Sequence, residues 1–259
     1  MNDKCDLRER IMKKETVIGM FARFNNMAVT ELIANAGFDF IIIDMEHGNF
    51  SFLDVENIIR VSEGCGMSSV VRISYPFKED VLHALDSGAD GVQIPSLSTV
   101  YAAKEICTGT KYYPEGDRGA SLTQRSAKYG NWDKEEPYYL YANRRTTVIV
   151  HVENKDMAAS IEEICAIPKL DVVFIGPADL CQSLGKPGQP GDPAVVAVIE
   201  DVIKKTLKSG KAAGIYVSSI EAAKKYIDIG VTYVAYGVDT VLFGGCIKSL
   251  KNEIDNALI

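Results

Sequence analysis

The chain has no C-x-x-C pair, although it holds six cysteines (Cys5, Cys65, Cys107, Cys165, Cys181 and Cys246), and it has only three histidines. Thiols this scattered, without zinc-like spacing, argue against a cysteine-rich metal cage. They suit small core residues of a reduced, cytoplasmic protein. No apolar run approaches the ~20 residues of a membrane span, and the charged stretch MNDKCDLRERIMKKE lacks the apolar core of a signal peptide. No Lys/Arg cluster exceeds a pair, and 28 basic against 35 acidic side chains leave a net charge of −7. A nucleic-acid groove or an anionic membrane surface would want the opposite balance, so neither is expected as a partner. A small anionic substrate held by one or two placed cations remains compatible.

With 259 residues, 47% of them hydrophobic and 24% charged, the chain can bury a core as one domain spanning 1–259, with residues 1–15 as an N-terminal helix or extension. Short apolar runs read as strands at 17–21, 40–44, 69–73, 91–95, 147–153, 172–175, 213–217 and 233–236. Amphipathic stretches between them read as helices at 27–36, 52–63, 78–87, 100–107, 158–166, 195–209, 220–229 and 238–257. Glycines 37, 88, 210 and 230 stand where helix ends meet new strands. Strand then helix, eight times over, is the pattern of an α/β fold of the (β/α)8 TIM-barrel type. An open doubly wound sheet would usually carry a glycine-rich fingerprint after its first strand, and here that strand runs into FARFNN. Residues 108–146 are too long for a plain connection and are expected to serve function, with their tyrosines packing within the loop.

In such barrels the reactive groups sit at the carboxyl ends of the strands. FIIIDMEHG ends in Asp44, Glu46 and His47, SSVVRIS carries Arg72, TTVIVHVEN carries His151 and Glu153, and DVVFIGPADL delivers Asp179. Alternation along the fifth strand puts His151 and Glu153 on the face away from Val148, Val150 and Val152, pointing into the mouth. Gly176, Pro177, Ala178 and Asp179 open a helix whose free amides suit an anion. Glu153 and Asp179, carboxylates from different strands, suit a hard cation such as Mg²⁺ or Mn²⁺, and equally a buried salt bridge and a helix cap. Arg72 offers a fixed cationic fork for a carboxylate or an enolate oxygen, or a structural partner for Asp44 or Glu46. His47 is a candidate base. No lysine sits at an obvious strand end, so a Schiff base has no evident nucleophile. His83 reads as structural. Arg118 and Gly119 either shape a loop over the site or hold the long excursion together.

FDFIIIDMEHG, VVRIS, GADGVQIP, YYPEGDRG, VHVEN, VFIGPADL, GKAAGIYV and YVAYGVDT occur in this order from about residue 19 to 250. Together they resemble the HpcH/HpaI family of class II pyruvate-dependent aldolases. The resemblance implies a phosphoenolpyruvate/pyruvate-type barrel that reversibly cleaves a 4-hydroxy-2-oxo acid to pyruvate and an aldehyde. It also implies Glu153 and Asp179 as ligands of Mg²⁺, Mn²⁺ or Co²⁺, and Arg72 on the pyruvate enolate. His47 would move protons, oriented by Asp86, and the amides of Ala178 and Asp179 would hold the carboxylate. A homo-oligomer, a hexamer or trimer of dimers, with the last helix exchanged between neighbours is implied as well. The chain departs from the pattern at His151, where such aldolases usually carry Gln, and at Tyr216, where they often carry a smaller apolar residue. Two other readings stand beside it: an acyl-CoA-thioester lyase of the malyl-CoA or citramalyl-CoA type, and a pyruvate-binding barrel without turnover.

Overall fold

In the computed structural model, which describes residues 6–258, eight parallel strands close into a barrel in sequence order. They are β1 (Val17–Ala22), β2 (Phe40–Asp44), β3 (Ser68–Arg72), β4 (Gly91–Ile94), β5 (Thr147–Val152), β6 (Val172–Ile175), β7 (Ala212–Val217) and β8 (Tyr233–Val238). A parallel pairing of β1 with β8 completes the ring. The apolar runs sort by alternation into two layers. Phe21, Phe40, Ile42, Val70, Ile149 and Phe174 fill the barrel, where Phe40 stacks on Tyr233 with centroids 4.4 Å apart. Ile41, Ile43, Val71, Val148 and Val150 face outward and pack under the helices.

The helices are α1 (Leu7–Met12), α2 (Met27–Asn35), α3 (Phe52–Gly64), α4 (Lys78–Asp86), α5 (Val100–Thr108), α6 (Tyr138–Arg145), α7 (Lys155–Ala159), α8 (Ile161–Cys165), α9 (Pro177–Ser183), α10 (Pro193–Lys208), α11 (Ile220–Asp228) and α12 (Asp239–Leu258). Local chemistry sets their starts. Ser51 and Asp54 form a capping box on α3, while Asn26, Thr99 and Ser219 cap α2, α5 and α11. The helix expected at 158–166 is two short helices: Asn154 caps the first through the Met157 amide at 2.9 Å, and the chain breaks at Ser160.

Two expectations are corrected. Residues 108–146 join the end of α5 to the start of β5, so they lie at the amino ends of the strands and not beside the mouth. A helix running back antiparallel to its strand always returns the chain to that end. There the segment folds as a 3₁₀ turn (Arg125–Gly130) and α6, held by aromatic contacts such as Trp132 with Tyr138 at 5.1 Å. Among the cysteines, Cys107, Cys165 and Cys181 are buried as expected, whereas Cys65 and Cys246 are exposed; Cys5 lies outside the described residues. The last helix, α12, buries only Asp239 among its described residues and exposes Phe243, Ile247, Leu250 and Ile254.

Gly19 lies where the barrel interior is tightest, and a Cβ there would overlap the Phe40 ring. Gly64, in α3, has no atom within 4 Å of where a Cβ would stand, so a methyl group there meets no neighbour. Gly19→Ala should therefore destabilise by about 2 kcal/mol through overpacking. Gly64→Ala should stabilise by about 0.5 kcal/mol through helix propensity. Denaturant midpoints of the two variants should move in opposite directions.

Candidate active site

At the carboxyl ends of β2 and β3 a fully buried Asp44 meets Arg72 as fork on fork. Arg72 Nε donates to Oδ1 at 2.9 Å and Nη2 to Oδ2 at 2.7 Å. Arg72 Nη1 reaches Glu46 Oε2 at 2.8 Å, and the guanidinium lies over the Phe21 ring at 4.7 Å. The two structural partners foreseen for Arg72 are thus both engaged. Of the five N–H groups a guanidinium carries, the fork on Asp44 takes two, and Nη1 lies in ion-pair contact with Glu46. Arg23, just past β1, donates from Nε to Asp44 Oδ2 at 2.9 Å. Burial works to raise the Asp44 carboxyl, but Arg72, Arg23 and the His47 amide outweigh it and hold the group below its ordinary value.

Beyond the ends of β5 and β6, Glu153 is 7% exposed. Its Oε1 accepts the Ser96 amide at 2.6 Å, and its Oε2 lies 2.9 Å from His151 Nδ1. Burial opposes its charge, yet His151, the Ser96 amide and the nearby charge of Arg72 keep the carboxyl below the usual range. A carboxylate accepts, so this contact is a hydrogen bond in the tautomer that carries its hydrogen on Nδ1. The opposite nitrogen, Nε2, is buried without a partner among the described residues. The ring itself packs on Phe174 at 4.7 Å. His151 therefore acts on Glu153 directly.

Gly176 is pressed against that carboxylate: a Cβ there would stand 3.0 Å from Glu153 Oε2. Glu153 thus lies against the residue just before α9, and Asp179 follows in the first turn, exposed and without a side-chain partner among the described residues. Pro177 occupies the first helical position, as expected. No group of three or more His, Cys, Asp or Glu side chains able to hold a metal occurs among the described residues. The donors that follow β5 and β6, Glu153 and Asp179, are carboxylate oxygens, the first of them buried. That set fits a hard cation carried by one or two carboxylates, whose other positions go to water and substrate oxygens.

Two residues escaped the sequence reading. Ser96, after β4, adopts a left-handed backbone (φ +57°) and ties two carboxylates together, its amide on Glu153 and its hydroxyl 3.1 Å from Glu46 Oε1. A positive φ at a serine is set by tertiary contacts and has no signature in the local sequence. Arg23 carried a signal, being charged where an inward-facing strand ends, but it lies inside FARFNN with no neighbouring motif.

His47 holds the rim, with its side chain 52% exposed, its amide 3.2 Å from Asp44 Oδ1 and its Nε2 4.0 Å from Glu46 Oε2. The expected orienting partner, Asp86, is at the far end of α4, near the amino ends of the strands, and binds Arg118 Nη2 at 2.6 Å. Within one chain Glu46, not Asp86, is the carboxylate beside His47. Arg118 also lies over Tyr112 at 4.6 Å, so it holds the long excursion together. His83 packs on Phe52 at 4.8 Å. Lys111, whose pKa burial pushes down to about 8, donates to the carbonyls of Asn143 and Thr146 ahead of β5, away from the mouth.

Asp44→Asn would leave two arginines facing a neutral amide and should cost about 3 kcal/mol at neutral pH. Because the folded-state pKa of Asp44 is depressed, its contribution is present above the unfolded value and is lost as pH falls through the folded one. The stability gap between native protein and variant should therefore close in acid, below roughly pH 4, as followed by urea midpoints across pH.

Residues 17–244 match the family described as HpcH/HpaI aldolase/citrate lyase. The chain is 32% identical over 236 residues to a 2-keto-3-deoxy-L-rhamnonate aldolase of Shigella sonnei (strain Ss046), spanning 91% of this chain and 88% of that one. It also resembles a solved HpcH/HpaI aldolase/citrate lyase family protein from Burkholderia cenocepacia J2315, with a TM-score of 0.90 and 28% identity over 96% of this chain and 98% of that one. The citrate synthase SbnG superposes with a TM-score of 0.87 and 25% identity over 98% and 99% of the two chains. With the barrel, the Asp44–Arg72 fork and the Glu153–Gly176 contact all inside the matched span, the chain belongs to the HpcH/HpaI aldolase/citrate lyase family.

Proposed function

We propose that this chain is a class II aldolase, a carbon–carbon lyase that reversibly cleaves a 4-hydroxy-2-oxo acid of the 2-keto-3-deoxy type to pyruvate and an aldehyde. The observation that carries the reading is a guanidinium locked at the barrel mouth by two carboxylates, beside a buried glutamate. Glu153 and Asp179 would hold a divalent cation, Mg²⁺, Mn²⁺ or Co²⁺, which when bound supplies Lewis acidity toward the 2-keto oxygen. The amides of Ala178 and Asp179 donate to the pyruvate carboxylate at the start of α9.

Arg72 acts as a fixed positive charge. Asp44 and Glu46 hold its plane, so its remaining N–H groups are preorganised for the oxygen that gains charge, with no reorganisation during the step. His47, half exposed at the rim and beside Glu46, moves protons between substrate and solvent. In cleavage the C4 hydroxyl loses its proton, the C3–C4 bond breaks, and the electron pair settles on the 2-keto oxygen as an enolate. Protonation at C3 then gives pyruvate. Ser96 and His151 hold Glu153 in place.

The apolar side chains that α12 leaves exposed support assembly with further copies of the chain, as a hexamer or a trimer of dimers. Free buried thiols suit a reducing compartment such as the cytoplasm.

EDTA should abolish aldol cleavage, and added Mn²⁺, Co²⁺ or Mg²⁺ should restore it; full activity in chelator, or borohydride trapping of a pyruvate adduct on lysine, would count against this reading. Arg72→Ala should slow exchange of the pyruvate C3 protons by about a hundredfold or more, followed by NMR in D₂O.

A further inference from the structure

Four non-glycine residues among those described carry a left-handed backbone: Lys14, Ser96, Lys128 and Tyr129. Lys14 closes the end of α1, where its amide returns to the Ile11 carbonyl at 2.9 Å, and Lys128 and Tyr129 lie in the 3₁₀ turn of the long connection. Ser96 is the one that stands at the mouth, just after β4. The chain is fixed on either side of it. Pro95 and Leu97 are buried, and the Leu97 carbonyl accepts Asn154 Nδ2 at 2.8 Å. Asn154 follows Glu153 and caps α7, so the turn after β4 is stitched to the turn after β5 at two points, Leu97 to Asn154 and Ser96 to Glu153. Ser96 itself is exposed and gains little from packing. A strained backbone persists only where the surrounding structure over-determines it, and here the surroundings are the two turns that carry the site.

The angle φ sets how the amide of a residue is turned relative to its own side chain. At +57° the two donors of Ser96 reach two different carboxylates: the amide meets Glu153 Oε1 at 2.6 Å, and the hydroxyl meets Glu46 Oε1 at 3.1 Å. With φ in its ordinary range and the amide still on Glu153, the side chain would point elsewhere, and one residue could not serve both. The other oxygen of Glu46 pairs with Arg72 Nη1 at 2.8 Å. A carboxylate offers about four acceptor sites, and Ser96 and His151 take one on each oxygen of Glu153. The sites that remain are the ones open to a cation.

We propose that Ser96 is a positioning residue with two separable tasks: its left-handed backbone aims an amide at Glu153 and so orients that carboxylate for the divalent cation, while its hydroxyl sets Glu46 and so steadies Arg72. This rests on the aldolase reading above. The backbone task bears on cation affinity before any substrate is present. The hydroxyl task bears on the charge that forms on the substrate oxygen, because Glu46 holds the guanidinium that meets it. Substitution separates the two. Alanine keeps a restricted backbone and loses the hydroxyl. Glycine loses the hydroxyl as well, adopts a positive φ without strain, and frees the amide to leave Glu153. Stability and function therefore pull in opposite directions at this position, as they do where strain serves a site.

The test compares the full-length native protein with Ser96→Ala and Ser96→Gly in three measurements: Mn²⁺ binding without substrate, followed by electron paramagnetic resonance; exchange of the pyruvate C3 protons at saturating Mn²⁺; and the urea midpoint. Ser96→Ala should bind Mn²⁺ as the native protein does and exchange the C3 protons about fivefold more slowly, the loss falling on the maximal rate. Ser96→Gly should lose the same rate and in addition bind Mn²⁺ about tenfold more weakly, yet unfold at a higher urea concentration than Ser96→Ala. Equal Mn²⁺ affinity in the two variants would overturn the backbone task, and native exchange in Ser96→Ala would overturn the hydroxyl task. A Ser96→Gly variant less stable than Ser96→Ala would also overturn the proposal, since the left-handed backbone would then carry no strain. The native protein separates the two levels. If it neither binds Mn²⁺ nor exchanges the C3 protons, the aldolase reading fails and takes the proposal with it; if it does both and the variants match it, only the role of Ser96 fails.

Discussion

One fully buried carboxylate organises the mouth of this barrel. Asp44 takes two nitrogens of Arg72, one nitrogen of Arg23 and the amide of His47, so residues from the ends of β1 and β3 and from the turn after β2 converge on its two oxygen atoms. Burying a lone carboxylate is costly, and the two guanidiniums are what make it tolerable. The same contacts fix the positions of both cations. A guanidinium held on two sides has few ways to move, and that is the condition for stabilising a charge that appears only briefly during a reaction.

A second carboxylate, Glu153, depends on a different set of supports. It is held by a backbone amide from a strained serine, by the ring of His151, and by the absence of a side chain at Gly176. Ser96 joins the two systems, since its hydroxyl reaches Glu46, which in turn holds Arg72. Arginine clamp and glutamate are thereby parts of one network crossing β2 to β6. Small displacements in any one strand end would be felt at the others.

The opposite end of the barrel carries its own buried charges with a different purpose. Lys111 closes on two carbonyls ahead of β5, Arg118 ties the long connection to Asp86, and Arg8 from α1 pairs with Asp171 at 3.0 Å. These contacts staple the floor of the barrel to its helices. A charge kept for stability and one placed for chemistry look alike as residue types, and the end of the strand on which each lies tells them apart.

The strands and most helices were legible in the sequence because alternation, caps and terminal glycines are local signals: the eight strands fall within about two residues of where the apolar runs place them. The identity of Asp44, Arg72, His47, Glu153 and Asp179 as mouth residues followed from the same logic, since a strand end is a position in sequence. Partnership was another matter. Asp86 read as a companion of His47 but lies at the other end of α4, the long connection expected to serve function lies beneath the barrel, and Ser96 and Arg23 gave no motif to find. Periodicity records which face a side chain occupies and which end of an element it is near. Only closure of the ring, which brings β1 beside β2 and turns four strand ends toward one another, decides which charges meet.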